Sequence, residues 1–193
     1  MKREFYFIRH GRTDWNESGR IQGTTDVPLN DNGREDARKA GEMLKDIPYE
    51  IVYSSPLSRA YETALLANIH QKDIIVMDDL KERSYGSFEG KMITNYVKKD
   101  QSIDTYKGFD GESRTHAALR MKKVLQEILD TTEYEKILIS THGSILSSFI
   151  QLLKGIPEEP LPRGAVKNGS LNRIDYDGEF HTVFIGKRPD NDL

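Results

Sequence analysis

Four consecutive β-formers, Phe5-Tyr6-Phe7-Ile8, stop directly on Arg9-His10-Gly11. An apolar run without polar alternation has to be covered on both faces, which reads as a buried strand of a largely parallel sheet. Similar short runs recur at Ile51-Val52-Tyr53, Ile74-Ile75-Val76-Met77 and Ile137-Leu138-Ile139. Helical spacing fills the gaps. Asn30 caps a predicted helix to about Asp46, with Ala37, Ala40, Leu44 and Ile47 on one face. Ser55-Pro56, a cap followed by Pro at the first helical position, predicts a helix to about Ile69. Further helices are predicted from Glu112 to about Leu129 and, after Thr141-His142-Gly143, to about Lys154, and Leu171–Tyr176 with Phe180–Ile185 reads as a closing hairpin. This order predicts an α/β fold, a largely parallel sheet flanked by helices on both faces. Residues 12–30 and 155–169 read as long loops, and 85–111 as a small cap inserted into a single domain spanning 1–193.

In such sheets, ligands bind at the carboxyl ends of the strands. Two histidines stand there, His10 after the first strand and His142 after the fourth, each followed by a glycine that would let backbone approach a ligand. The other three are read as structural or solvated: His70 at a helix end, His116 near a helix start and His181 in the hairpin. With no cysteine, thiolate nucleophiles, disulfides and Cys-ligated zinc are excluded. The sequence has no His-x-x-x-His spacing for a metal, no dinucleotide fingerprint, no Walker loop and no Gly-x-Ser-x-Gly elbow. The expectation is therefore no metal and no cofactor. Net charge is −3, so a basic nucleic-acid footprint is absent and any anion site must gather its cations locally. The apolar run at the N-terminus is too short for a signal peptide or a membrane span, and the expectation is a soluble, cytoplasmic chain. Arg9 beside His10, Arg59 near a helix start, and Arg12 and Arg20 in the adjoining loop suit an anionic ligand.

The ordered blocks Arg9-His10-Gly11-Arg12-Thr13-Asp14-Trp15-Asn16, Gln22-Gly23, Ser54-Ser55-Pro56-Leu57-Ser58-Arg59-Ala60, Leu80-Lys81-Glu82-Arg83, Asp110-Gly111-Glu112-Ser113, Thr141-His142-Gly143 and Asn168-Gly169-Ser170 run nearly end to end. Together they resemble the histidine phosphatase superfamily, the branch that includes cofactor-dependent phosphoglycerate mutases and many small phosphatases. The resemblance implies a phosphohistidine on His10, with Glu82 protonating the leaving group and then activating water. It also implies a phosphate pocket of Arg9, Arg59, His142 and Asn16, with Gln22, Gly23, Tyr85 and Gly143 on the substrate.

Within the family the resemblance favours a histidine acid phosphatase-type phosphomonoesterase. The mutases carry a longer insertion with paired arginines for a substrate carboxylate, and this chain has no Arg-Arg pair. Ser84 stands where they usually have histidine, and Ile93 where they place a lysine. Glu82-Arg83 and Tyr85-Gly86 are the mutase-like features, so a phosphoglycerate mutase is the alternative, and a non-catalytic phospho-ligand binder is the second. The expected partner is a small phosphorylated metabolite, such as a sugar phosphate, a phosphoglycerate or a nucleotide, with a lean toward fructose-bisphosphatase-type relatives. Lys91, Lys98, Lys99, Lys107, Tyr85, Phe88, Tyr96 and Tyr106 of the cap, with Arg163 and Lys167, are candidates for its rim. No feature identifies an oligomer interface.

Overall fold

The computed structural model describes residues 2–96 and 103–189. Strands β1 (Arg3–Arg9), β2 (Ile51–Ser54), β3 (Ile74–Val76), β4 (Lys136–Thr141), β5 (Leu171–Tyr176) and β6 (Phe180–Lys187) form one six-stranded sheet, ordered β3-β2-β4-β1-β5-β6. The first four are mutually parallel, with Phe7 opposite Ile139 and Tyr53 also opposite Ile139. The hairpin β5–β6 then adds two antiparallel strands beside β1. Alternation along the strands divides the core. Phe5, Phe7, Ile137 and Ile139 pack with α4 (Arg114–Thr131) and α5 (Gly143–Leu153), through Met121, Leu125, Leu146 and Phe149. Tyr6, Ile8, Val52 and Leu138 pack on the opposite side with α2 (Asp31–Met43) and α3 (Ser58–Ala67), through Ala40, Leu44, Ala64 and Ala67. Truncating a fully buried Phe7 to alanine at this two-sided core would cost about 3–5 kcal/mol.

Local boundaries differ from the sequence reading where a side chain finds a better partner. The predicted Ser55-Pro56 start is displaced: α3 begins at Ser58, with Leu57 at the cap position and no side-chain cap. Ser55 is instead turned toward His142, its Oγ 2.8 Å from Nε2. Residues 12–30 are not all loop. They contain the short helix α1 (Asp14–Ser18), closed by a capping box in which Thr13 and Asn16 satisfy each other's backbone N–H. Helix α2 ends at Met43, and α4 begins at Arg114 behind a Ser113 cap that accepts from His116 N–H. His70 lies beyond the end of α3, its Nε2 3.1 Å from the Ile47 carbonyl, so it ties the α2–β2 connection rather than facing solvent at a helix end.

The described part of the 85–111 segment is built from short 3-10 turns around a small cluster of Ile21, Phe88 and Ile103, with Tyr85, Ile93, Tyr96 and Phe109 packed against it. It is zipped to the loop after α1 by backbone hydrogen bonds from Gly90 N to Ile21 O (2.7 Å), Ile21 N to Lys91 O (3.0 Å) and Ile93 N to Gly19 O (3.0 Å). That pairing sets a wall above the carboxyl ends of β1 and β4. No helix among the described residues is long and apolar enough to cross a membrane.

Candidate active site

His10 follows β1 and His142 follows β4, the strand hydrogen-bonded beside it. The His10 amide donates to the Thr141 carbonyl (3.0 Å), and the two imidazole rings stand 5.1 Å apart, tilted by 59°. His10 Nδ1 lies 2.7 Å from the Gly11 carbonyl oxygen. A carbonyl only accepts, so Nδ1 carries the proton and Nε2 keeps its lone pair. Burial, reinforced by Arg59 and Arg9, holds the pKa of His10 well below the usual imidazole value. Burial does the same for His142, again with Arg59 as the largest nearby charge. Both rings are neutral near pH 7.

The cations around them are anchored by carbonyls rather than by carboxylates. Arg9 donates from Nη1 to the Val166 carbonyl (2.7 Å), and Arg59 donates to the Thr25 (2.8 Å) and Gly23 (2.7 Å) carbonyls. Burial lowers the pKa of both guanidinium groups, that of Arg59 to about 10. Arg9 Nε, Arg59 Nε and His142 Nδ1 are buried with no hydrogen-bond partner. Unpaired buried polar groups are costly and uncommon in folded proteins, and two guanidinium donors and an imidazole nitrogen of this kind stand around one histidine.

Glu82 lines the same cavity as His10. Its Oε1 accepts from the backbone N–H of Arg83 and Ile145, both at 2.8 Å, and its Oε2 accepts from Ser144 N–H at 2.9 Å. The carboxyl thus sits on the amino end of α5, where the helix dipole complements it. Arg120 steadies the preceding turn by donating to the Asp79 and Lys81 carbonyls. The fully buried Arg83 stacks 4.6 Å from the Tyr85 ring centroid and bonds Ser144 and Asp104.

Asn16 and Gln22 share one network. Asn16 Oδ1 accepts from Thr13 and from Asn168 Nδ2, and Gln22 Oε1 accepts from Thr13 Oγ1. Asn168 also donates to the His10 carbonyl (3.0 Å) and so clamps the backbone of that histidine. The glycines also serve packing around the site. A Cβ on Gly11 would fall 2.1 Å from the Gly33 carbonyl oxygen, so Gly11 is needed for packing on α2. A Cβ on Gly143 would stand 2.9 Å from Arg9 Nε, so Gly143 makes room for that guanidinium. Gly23, at φ +57°, supplies the carbonyl that anchors Arg59, and a Cβ there would meet the Glu89 carboxylate. Glu89 itself accepts from the amides of Thr24, Thr25 and Tyr85 and from the Thr24 and Thr25 hydroxyls.

These groups line one cavity of about 520 Å³ that includes Arg9, His10, Asn16, Gln22, Gly23, Arg59, Glu82, Tyr85 and Gly143. His142 lies behind it, fully buried. Arg20, Arg114 and Arg163 join the wall. The expected lysine rim does not form among the described residues: Lys91 lies over the Phe88 ring, Lys107 is exposed, and neither they nor Lys167 line the cavity. Lys98 and Lys99 fall outside the described residues. Asn168, Glu89 and Arg83 are structural partners that the sequence reading left without a role, although Asn168 and Arg83 lie in motif blocks it singled out. No group of three or more His, Asp or Glu among the described residues is placed to hold a metal ion.

A family model described as the histidine phosphatase superfamily (branch 1) matches residues 5–184. The chain is 34% identical over 170 residues to the "uncharacterized phosphatase PhoE" of Bacillus subtilis (strain 168), covering 88% of this chain and 86% of the relative. It is 32% identical over 182 residues to the "probable phosphoglycerate mutase GpmB" of Serratia proteamaculans (strain 568), covering 90% and 85%. The solved structure of Bacillus stearothermophilus YhfR superposes with a TM-score of 0.83 at 30% identity, covering 95% of this chain and 96% of that one.

Proposed function

The chain belongs to the histidine phosphatase superfamily, and from that premise we propose that it hydrolyses small phosphomonoesters through a phosphohistidine on His10. What supports this reading most is the set of three buried, unpartnered nitrogens, Arg9 Nε, Arg59 Nε and His142 Nδ1, around a neutral His10 with Nε2 unprotonated. A phosphoryl group would satisfy them, and neutralising its equatorial oxygens is most of what phosphoryl transfer needs.

In the proposed reaction Nε2 of His10 attacks phosphorus as the bond to the leaving alkoxide breaks. Arg9, Arg59 and His142 hold the equatorial oxygens, with the Asn16 amide beside them. Glu82 in its acid form gives its proton to the alkoxide. Oε2 accepts only from Ser144, so it keeps a lone pair through which that proton is held and returned. Water then attacks the phosphohistidine, Glu82 takes its proton, and inorganic phosphate leaves with His10 restored. The cavity arginines supply the positive charge, and no metal ion enters the mechanism.

Phosphate release from 4-nitrophenyl phosphate, glycerol 3-phosphate and 3-phosphoglycerate tests the reading. Release by the wild-type protein and its loss in His10→Ala is the expected result. No release from any ester, with binding retained in His10→Ala, would leave a phospho-ligand binder instead. Tyr85 in the cavity wall and relatives named as mutases favour the second reading, a phosphoglycerate mutase. Rapid formation of 2-phosphoglycerate from 3-phosphoglycerate with 2,3-bisphosphoglycerate present, and little free phosphate, would establish that one.

A further inference from the structure

Among the described residues three carboxylates are buried: Glu82, Asp175 and Asp36. Glu82 belongs to the cavity, and Asp175 stands opposite Glu4, at the far end of β1 from His10. Asp36, in α2, has no part in the reaction described so far. Its carboxylate grips the loop that follows His10. Oδ2 accepts from the backbone N–H of Arg12 (3.2 Å) and from Arg12 Nε (2.8 Å), and Oδ1 accepts from Arg12 Nη2 (3.0 Å). Arg188 brings a second guanidinium to 3.7 Å from Oδ1. Two cations offset the charge, so what Asp36 offers is an acceptor of fixed direction rather than a net field at His10.

The Arg12 N–H and the Gly11 carbonyl are the two edges of one peptide group. That group is planar and trans, so the N–H and the carbonyl point in opposite directions. Holding the N–H on Asp36 therefore aims the carbonyl the other way, where His10 Nδ1 meets it at 2.7 Å. A carboxylate on the N–H also polarises the group and strengthens its carbonyl as an acceptor. The flanking peptides are pinned separately: Gly11 N–H donates to Thr63 Oγ1 (3.1 Å), and the Arg12 carbonyl accepts from Asn30 N–H (3.1 Å). Asn168 Nδ2 reaches the Gly11 carbonyl as well, at 3.2 Å, but divides itself between that oxygen, the His10 carbonyl and Asn16.

We propose that Asp36 is a positioning residue for His10: through the Gly11–Arg12 peptide group it keeps the ring proton on Nδ1 and the lone pair on Nε2, the atom that attacks phosphorus. This rests on the phosphohistidine reading for its consequence and on the hydrogen-bond geometry for its substance.

Nitrogen-15 NMR of the histidine side chains in the ligand-free protein reads the tautomer without turnover. In the wild type His10 should carry its proton on Nδ1, and a proton on Nε2 would overturn the inference. Asp36→Ala should move a substantial share of that proton to Nε2. Arg12→Gln removes the ion pair but keeps the backbone N–H, and should leave the proton on Nδ1. An unchanged tautomer in Asp36→Ala, or an equal shift in both variants, would mean that Asp36 only pins the fold. Should Asp36→Ala not fold, Asp36→Asn, an uncharged and weaker acceptor, takes its place; a smaller shift in the same direction is expected, and none would count against the inference. With 4-nitrophenyl phosphate, kcat in the Asp36 variant should fall roughly tenfold or more while the Kd for inorganic phosphate stays within about twofold, since Arg9, Arg59 and His142 are untouched. Parallel loss of phosphate binding would point to a distorted pocket and overturn the positioning role. No turnover by the wild type would end the phosphatase reading and leave the tautomer comparison standing.

Discussion

His10 and Gly11 are tied by a hydrogen bond of 2.7 Å from the ring Nδ1 to the carbonyl oxygen of the next residue. That contact selects the tautomer, while burial and the charges of Arg59 and Arg9 keep the ring neutral. Ring-proton NMR should show His10 and His142 in the neutral form throughout pH 8 to 6, because both pKa values lie well below 6.5. Replacing Arg59 with methionine removes the largest nearby charge and moves both titrations upward. An inflection near pH 6.5 in the wild type would contradict the electrostatic account.

The same shifts set the sign of a stability change. Below about pH 6.5 the unfolded chain binds protons at these positions that the folded chain does not, so stability falls as the pH drops. Melting curves of His10→Asn and His142→Asn should show a shallower loss between pH 6.5 and 5 than the wild type.

Gly143→Ala places a Cβ 2.9 Å from Arg9 Nε and 3.0 Å from its Cζ. The guanidinium must move, and an ångström of displacement at a phosphate site costs roughly a hundredfold in rate. The expected result is a drop of that order in kcat with a nearly unchanged melting temperature. Wild-type kinetics in this variant would show that Arg9 does not act where the structure places it.

Ser55→Ala removes the one partner of the buried His142 ring, whose Nδ1 already has none. Leaving both ring nitrogens unpaired costs about 1–3 kcal/mol of stability, measured by urea denaturation, together with a fall in activity. A neutral substitution would mean that Ser55 does not orient that ring.

Glu89 joins the loop after α1 to the segment that follows Glu82. Burial alone would raise its pKa, but hydrogen bonds from Thr25, Thr24 and Tyr85 outweigh that and hold it below 4.5. Its stabilising contribution is complete above the ordinary carboxylate range and is lost as pH falls through the lowered value. Amide exchange at Thr24, Thr25 and Tyr85 should therefore accelerate on acidification, and Glu89→Gln should accelerate it already at pH 7. Unchanged protection in the variant would rule out this junction.

Much of the architecture was readable because burial leaves a local trace. Phe5–Ile8 and Ile137–Ile139 announce strands covered on both sides, and the residues that end them are those the sheet topology brings together. What escaped depends on partners distant in sequence. Ser55 and Pro56 form a plausible helix start until His142, 87 residues away, claims the Ser55 hydroxyl. That Gly143 also makes room for the Arg9 guanidinium is invisible until β1 and α5 are brought together. Lys91 resembles a rim cation until the Phe88 and Tyr96 rings take it up, whereas Arg163, read from the sequence as a rim candidate, does line the cavity.

The most direct measurement is trapping of the phosphoenzyme. Rapid mixing with a 32P-labelled phosphomonoester, quenching in alkali to preserve phosphohistidine, and mapping of the label should place one phosphoryl group per chain on His10 Nε2. It should be absent in His10→Ala and accumulate in Glu82→Gln. Label on His142, or phosphate release with no phosphohistidine formed, would contradict the account.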